Sequence, residues 1–217
     1  MLLTLFFAVL PFLNPSHPLL SGCAEAILPQ KITTQETYHD VEEMLAIAKS
    51  ERIGATVAES EKMGKRGLIG LSAPQIGINK RIILVDIDFN NETRKYGELR
   101  IYINPEIIEA SEEQTTEREI GCLSVDPRIR GVVSRAKDIV VIAYDRNGNR
   151  LQEKFSGFTA RVVQHEIDHL NGIRFPDRVG KDGILHWVEK EELPYYRQTW
   201  QNWPNRCPWE KWVSLKS

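Results

Sequence analysis

The chain has 217 residues, 41% hydrophobic and 27% charged, the size and balance of one globular domain with its own core. Lys and Arg number 28 against 30 Asp and Glu, a formal net charge of -2, so no basic excess argues for binding along a nucleic-acid backbone. Its three cysteines, Cys23, Cys122 and Cys207, are too few and scattered for a disulfide framework, which suits a reducing compartment.

Residues 1-13 are almost wholly apolar, and Leu20-Ser21-Gly22-Cys23 has the form of a bacterial lipoprotein cleavage site. No Lys or Arg precedes the apolar run, however, and Pro11, Pro15 and Pro18 interrupt it, unlike a secretory signal. A spanning helix needs about 20 apolar residues, and no stretch approaches that. The expectation is a cytoplasmic protein with no integral membrane span, export or lipid anchoring through Cys23 being the alternative.

Residues 38-50 place Val41, Leu45, Ile47 and Ala48 at helical spacing behind Asp40, Glu42 and Glu43, an amphipathic helix with an acidic first turn. Residues 53-66 read as a connection, partly helical. They lead into Gly67-Leu68-Ile69-Gly70-Leu71-Ser72-Ala73-Pro74-Gln75-Ile76-Gly77, richer in small residues than ordinary core. Short β-rich runs follow at 81-87, 100-104, 107-110 and 139-144, with a hairpin turn at 145-149.

Residues 158-170 then switch to helical period, Phe158, Val162, Val163, Ile167 and Leu170 sharing one side, with a stop near Asn171-Gly172. Strands followed by a buried helix predict an α+β domain. After Pro176 the tail carries Trp187, Tyr195, Tyr196, Trp200, Trp203, Trp209 and Trp212, broken by Pro194, Pro204 and Pro208. It is expected to wrap back onto the domain.

The chemistry lies on that helix. His165 and His169 are four apart, so both imidazoles project from one face and can bind one divalent ion. Glu166 lies beside them without needing to be a ligand, the natural place for a general base. A catalytic ion of this kind takes three protein ligands and one open position. His186 lies beyond the Pro176 break, so Cys122, in Gly121-Cys122-Leu123-Ser124 at the expected edge of a strand, is the better third ligand. On these residues alone, a zinc endopeptidase with another third ligand stays open.

Three segments, in order, resemble the motifs of the peptide deformylase family: Gly70-Leu71-Ser72-Ala73-Pro74-Gln75, Gly121-Cys122-Leu123-Ser124 and Gln164-His165-Glu166-Ile167-Asp168-His169-Leu170. Pro18-Leu19-Leu20 with Ala24 and Ile27 is similar to the segment with which deformylases begin, which would put Cys23 inside the folded domain. The resemblance implies short antiparallel sheets packed around a central helix carrying the HExxH motif. It also implies a catalytic domain over 14-178, between an apolar segment at 1-13 and an aromatic-rich extension at 179-217 that packs on it.

The implied reaction is hydrolysis of the formyl group from the formyl-methionine of newly synthesised polypeptides. Cys122, His165 and His169 would be the metal ligands and Glu166 the proton carrier. Gln75 and the Leu123 backbone N-H would face the oxyanion, and Gly70 and Gly121 would lie along the substrate. The metal implied is Fe(II), with Zn(II), Ni(II) and Co(II) also suited to a thiolate-containing site. Partners would be formylated nascent peptides and the ribosome near its exit tunnel.

Two departures stand out: Ile120 where the family usually has a glutamate before glycine-cysteine, and Leu68 where the first motif usually begins with glycine. Ser72 for alanine is milder. Ile120 removes a supporting polar contact rather than a ligand, and Glu119 next door is the residue that can partly substitute. A non-catalytic relative that binds metal and peptide is the alternative this departure keeps open.

Overall fold

A computed structural model describes residues 12-119 and 121-216. The expectation for 1-13 therefore falls mostly outside the described residues, as does Ile120 itself.

Helix α1 (Gln35–Ser50) begins three residues before the apolar period predicts, because Thr34 caps it by accepting from the Thr37 N-H. It buries Val41, Met44, Ile47 and Ala48, and burying each large aliphatic side chain contributes roughly 1.5-3 kcal/mol. Helix α2 (Val57–Lys62) forms within the 53-66 connection on a capping box between Thr56 and Glu59.

Strands β1 (Gly70–Ser72), β2 (Ile82–Asp86), β3 (Leu99–Ala110), β6 (Asp138–Tyr144) and β7 (Arg150–Ser156) form one antiparallel sheet in the order β1-β2-β3-β6-β7. All five residues of β2 are buried, because both faces of the sheet are covered. On one face Ile82, Leu84, Ile101 and Ile103 meet α1; on the other Ile83, Val85 and Tyr102 meet α3 (Gly157–Leu170). The runs expected at 100-104 and 107-110 are one strand. A register shift between Ile103 and Glu106, with Asn104 at φ 50°, carries the ladder past Pro105. The small-residue stretch is core after all: β1 turns into a 3-10 helix, Ala73–Ile76, whose four side chains are buried.

A second antiparallel sheet, β4-β5-β8, consists of β4 (Gln114–Arg118), β5 (Ile129–Ala136) and β8 (Leu185–Trp187). All three, together with β1 and β7, lie outside the predicted runs, because charged and glycine residues hide the period of two. Helix α3 lies between the sheets and ends at Asn171, followed by Gly172 at φ 70°. Beyond α4 (Phe175–Val179), the helices α5 (Leu193–Thr199) and α6 (Trp209–Lys216) pack on the second sheet. Tyr196 and Trp203 cluster with Val188, and Trp212 joins Val125, Ile129, Phe175 and Leu185. No helix among the described residues is long and apolar enough to cross a membrane.

Candidate metal centre

One turn of α3 sets His165 and His169 side by side, their Nε2 atoms 3.3 Å apart and both residues buried. Cys122 reaches them from the loop after β4, its Sγ 3.2 Å from His169 Nε2. The three ligand atoms lie within 4.8 Å of one another. Among the described residues, no other three His, Cys, Asp or Glu side chains converge in this way. A tetrahedral ion with arms of about 2.1-2.3 Å spaces its ligands about 3.4-3.7 Å apart, so two imidazoles and one thiol at these separations fit a divalent ion with one position open.

Gly121, at φ 118°, makes the turn that delivers Cys122; a Cβ is strained in that conformation. Leu123 is half-buried against the core beneath α1, and no hydrogen bond among the described residues takes its N-H. Ser124 is buried and ties this loop together. Its N-H donates to Cys122 Sγ at 3.4 Å, and its hydroxyl accepts from Gln75 Nε2 at 3.2 Å. Gln75 Oε1 in turn accepts from the backbone N-H and hydroxyl of Ser72 at 2.9 and 3.1 Å. The amide is thereby fixed with one of its two N-H groups to spare.

Glu166 is buried beside these three residues, and its Oε2 has no hydrogen-bond partner among the described residues. Burial pushes its carboxyl up to about 7, the range in which a carboxylate can both take and return a proton near neutrality. Gly70 is what admits it: a Cβ there would stand 2.4 Å from Glu166 Oε1.

Behind the ligands is a buried ionic layer. Glu119 Oε1 lies 3.1 Å from His165 Nδ1, with Arg135 Nε at 3.5 Å and Arg161 Nη2 at 3.7 Å from its other oxygen. Burial alone would raise the Glu119 carboxyl; the close His165 contact and the Arg135 charge instead hold it down at about 2. An anionic Glu119 keeps the proton on His165 Nδ1 and leaves Nε2 free to ligate. Arg135 also donates to Asp168 at 2.8 Å, and Arg178 closes on the same carboxylate.

The sequence-derived ligands, base and oxyanion residues thus share one site. Arg135 on β5 is only 4% exposed and belongs to this layer, whereas Arg130 on the same strand is half-buried and bonds the Ile129 carbonyl. Ser124, Asp168 and Arg161 were not singled out. The acid among the motif residues of α3 was the available signal for Asp168.

The chain matches the family model described as polypeptide deformylase over residues 9–183. The peptide deformylase of Listeria welshimeri is 36% identical over 168 residues, 76% of this chain and 87% of the relative. That of Halalkalibacterium halodurans is 44% identical over 140 residues, 64% and 70% of the two chains. A Met-Ala-Ser-bound crystal structure of class I type b peptide deformylase from Acinetobacter baumannii aligns with a TM-score of 0.63 at 32% identity, covering 78% of this chain and 98% of that one. The actinonin-bound form aligns at 0.64 and 31%, covering 79% and 99%.

Proposed function

The chain belongs to the peptide deformylase family, and on that premise we propose how its residues hydrolyse the N-formyl group from the formyl-methionine of new polypeptides. Cys122, His165 and His169 hold one divalent ion. When bound, it supplies the Lewis acidity that lets water attack near neutral pH. Fe(II) is our assignment of the native ion, with Zn(II), Ni(II) and Co(II) compatible with the same donors.

Glu166 takes a proton from the attacking water and passes it to the departing amine, so the C-N bond breaks to formate and a free amino terminus. The carbonyl oxygen gains negative charge on the way. The spare Gln75 N-H and the Leu123 N-H are the donors that meet it, and losing one such donor typically costs ~10²-fold or more in rate. Gly70 on β1 and Gly121 beyond β4 flank the site, and each of these strands ends its own sheet. An extended peptide can pair with such edges, which suits the formylated nascent chains that membership of the family gives as substrates. The ribosome near its exit tunnel, in the cytoplasm, is where this enzyme would meet them.

The observation that carries this reading is the convergence of Cys122 Sγ with the two histidine Nε2 atoms while Glu166 lies in the space Gly70 leaves. The Glu119 contact with His165 supports a catalytic rather than a merely binding relative, since it supplies the polar support that an isoleucine at position 120 does not. The test offers formyl-Met-Ala-Ser and its unformylated counterpart to protein loaded anaerobically with Fe(II). Formate from the first and no cleavage of the second is expected. Cleavage of an internal bond in either peptide would favour an endopeptidase.

A further inference from the structure

Directly behind the Cys122 loop sits a buried cation that the chemistry above does not use. Arg174, in the turn between α3 and α4, is 0% exposed. Its Nη1 donates to the Ser124 carbonyl at 3.3 Å and to the Pro15 carbonyl, and its Nη2 donates to Ser21 Oγ at 3.0 Å. Among the described residues no carboxylate forms a direct ion pair with its guanidinium; Asp177, which accepts from the Arg174 backbone N-H at 3.0 Å, is the acid whose charge acts on it. The indole of Trp212 on α6 covers it instead, 4.7 Å from ring centroid to Cζ.

Trp212 is itself fully buried and anchored. Its Nε1 donates to Asp177 at 3.0 Å, and Lys216, one turn on, donates to the same carboxylate at 2.9 Å. Taking a guanidinium out of water is costly unless acceptors and a π face replace the water. An apolar side chain of similar volume would fill such a place at no such cost. What Arg174 adds is direction: it binds the Pro15–Ser21 segment, the 122-124 loop and α6 at a single point.

Ser124 is where that direction reaches the site. Its N-H faces the Cys122 sulfur, its hydroxyl holds Gln75, and its carbonyl is held by Arg174. We propose that Arg174, capped by Trp212, is a positioning residue that fixes the Cys122-Leu123-Ser124 segment, and with it the sulfur ligand and both oxyanion donors. The extension beyond residue 183, where the family match ends, then forms part of the support of the metal centre. This inference rests on Cys122 being a ligand.

The test uses full-length Arg174→Met, Trp212→Leu and Trp212→Phe. Co(II) affinity by chelator competition and the sulfur-to-cobalt charge-transfer band are read alongside kcat, KM and thermal unfolding of the metal-free proteins. Arg174→Met and Trp212→Leu are expected to lose ~10-fold or more in Co(II) affinity, as supporting residues do. Their charge-transfer band should shift, and kcat should fall with KM little changed. Trp212→Phe, which keeps a π face over Arg174 while losing the same indole N-H bond to Asp177, should retain most of the affinity. If Arg174→Met does not fold, the two Trp212 variants decide. Wild-type affinity and an unshifted band in Trp212→Leu would overturn the proposal. A wild-type protein without any sulfur-to-cobalt band would refute the Cys122 assignment beneath it.

Discussion

Glu119 performs its task through a single proton. Its carboxylate faces His165 Nδ1 at 3.1 Å and balances Arg135 and Arg161. Glu119→Gln would leave both guanidinium groups without that charge. Metal affinity should fall ~10-100-fold in chelator competition, and about 3 kcal/mol of stability should go with it. Gly70→Ala tests the other side of the site. A methyl group cannot share space with Glu166 Oε1 at 2.4 Å, so the carboxylate must move by roughly an ångström, which typically costs ~10²-fold in rate. Steady-state kinetics with metal analysis should find kcat lost and metal retained. His165, Glu166 and His169 were legible because helical spacing alone brings them together. Glu119 was only half legible, since the side on which a strand residue points depends on a pairing partner; here the Glu119 N-H donates to the Gly131 carbonyl at 2.7 Å.

Elements whose apolar period is strong, α1 and α3, were readable to within a few residues, and so was the turn at 145-149. Strands β4, β5 and β7 were not, because their exposed faces carry Glu, Arg, Lys and Ser and their identity comes from ladder partners far along the chain. The extension shows the same limit: its aromatics announced a packed surface but not which ones would be buried. Within it, His186 on β8 is buried under Tyr196, whose hydroxyl lies 3.0 Å from Nδ1. Burial and the charge of Arg206 push this imidazole down to about 4. The folded chain therefore keeps His186 neutral while the unfolded chain protonates it below about pH 6.5. Stability is lost as pH falls from about 6.5 to about 4, by as much as ~3 kcal/mol. Thermal unfolding followed across that window should show the slope, and His186→Gln should flatten it.

On the scale of the whole molecule, two sheets offer their edge strands, β1 and β4, on either side of a helix that carries both histidines and the base. The division of labour follows from this layout. The five-stranded sheet brings Gly70 and Gln75, the three-stranded sheet brings Cys122 and the buried charge layer, and α3 joins them. The placement of Cys122 thus depends on the second sheet docking on α3, a dependence that no local sequence pattern expresses. The most direct test of the account compares formate release and bound metal, under the same anaerobic Fe(II) loading, in wild type and Glu166→Ala. The account predicts equal metal content with a rate at least ~10²-fold lower in the variant, the usual worth of a positioned proton carrier. Formate release at the wild-type rate by Glu166→Ala, or loss of the metal along with the carboxylate, would contradict it.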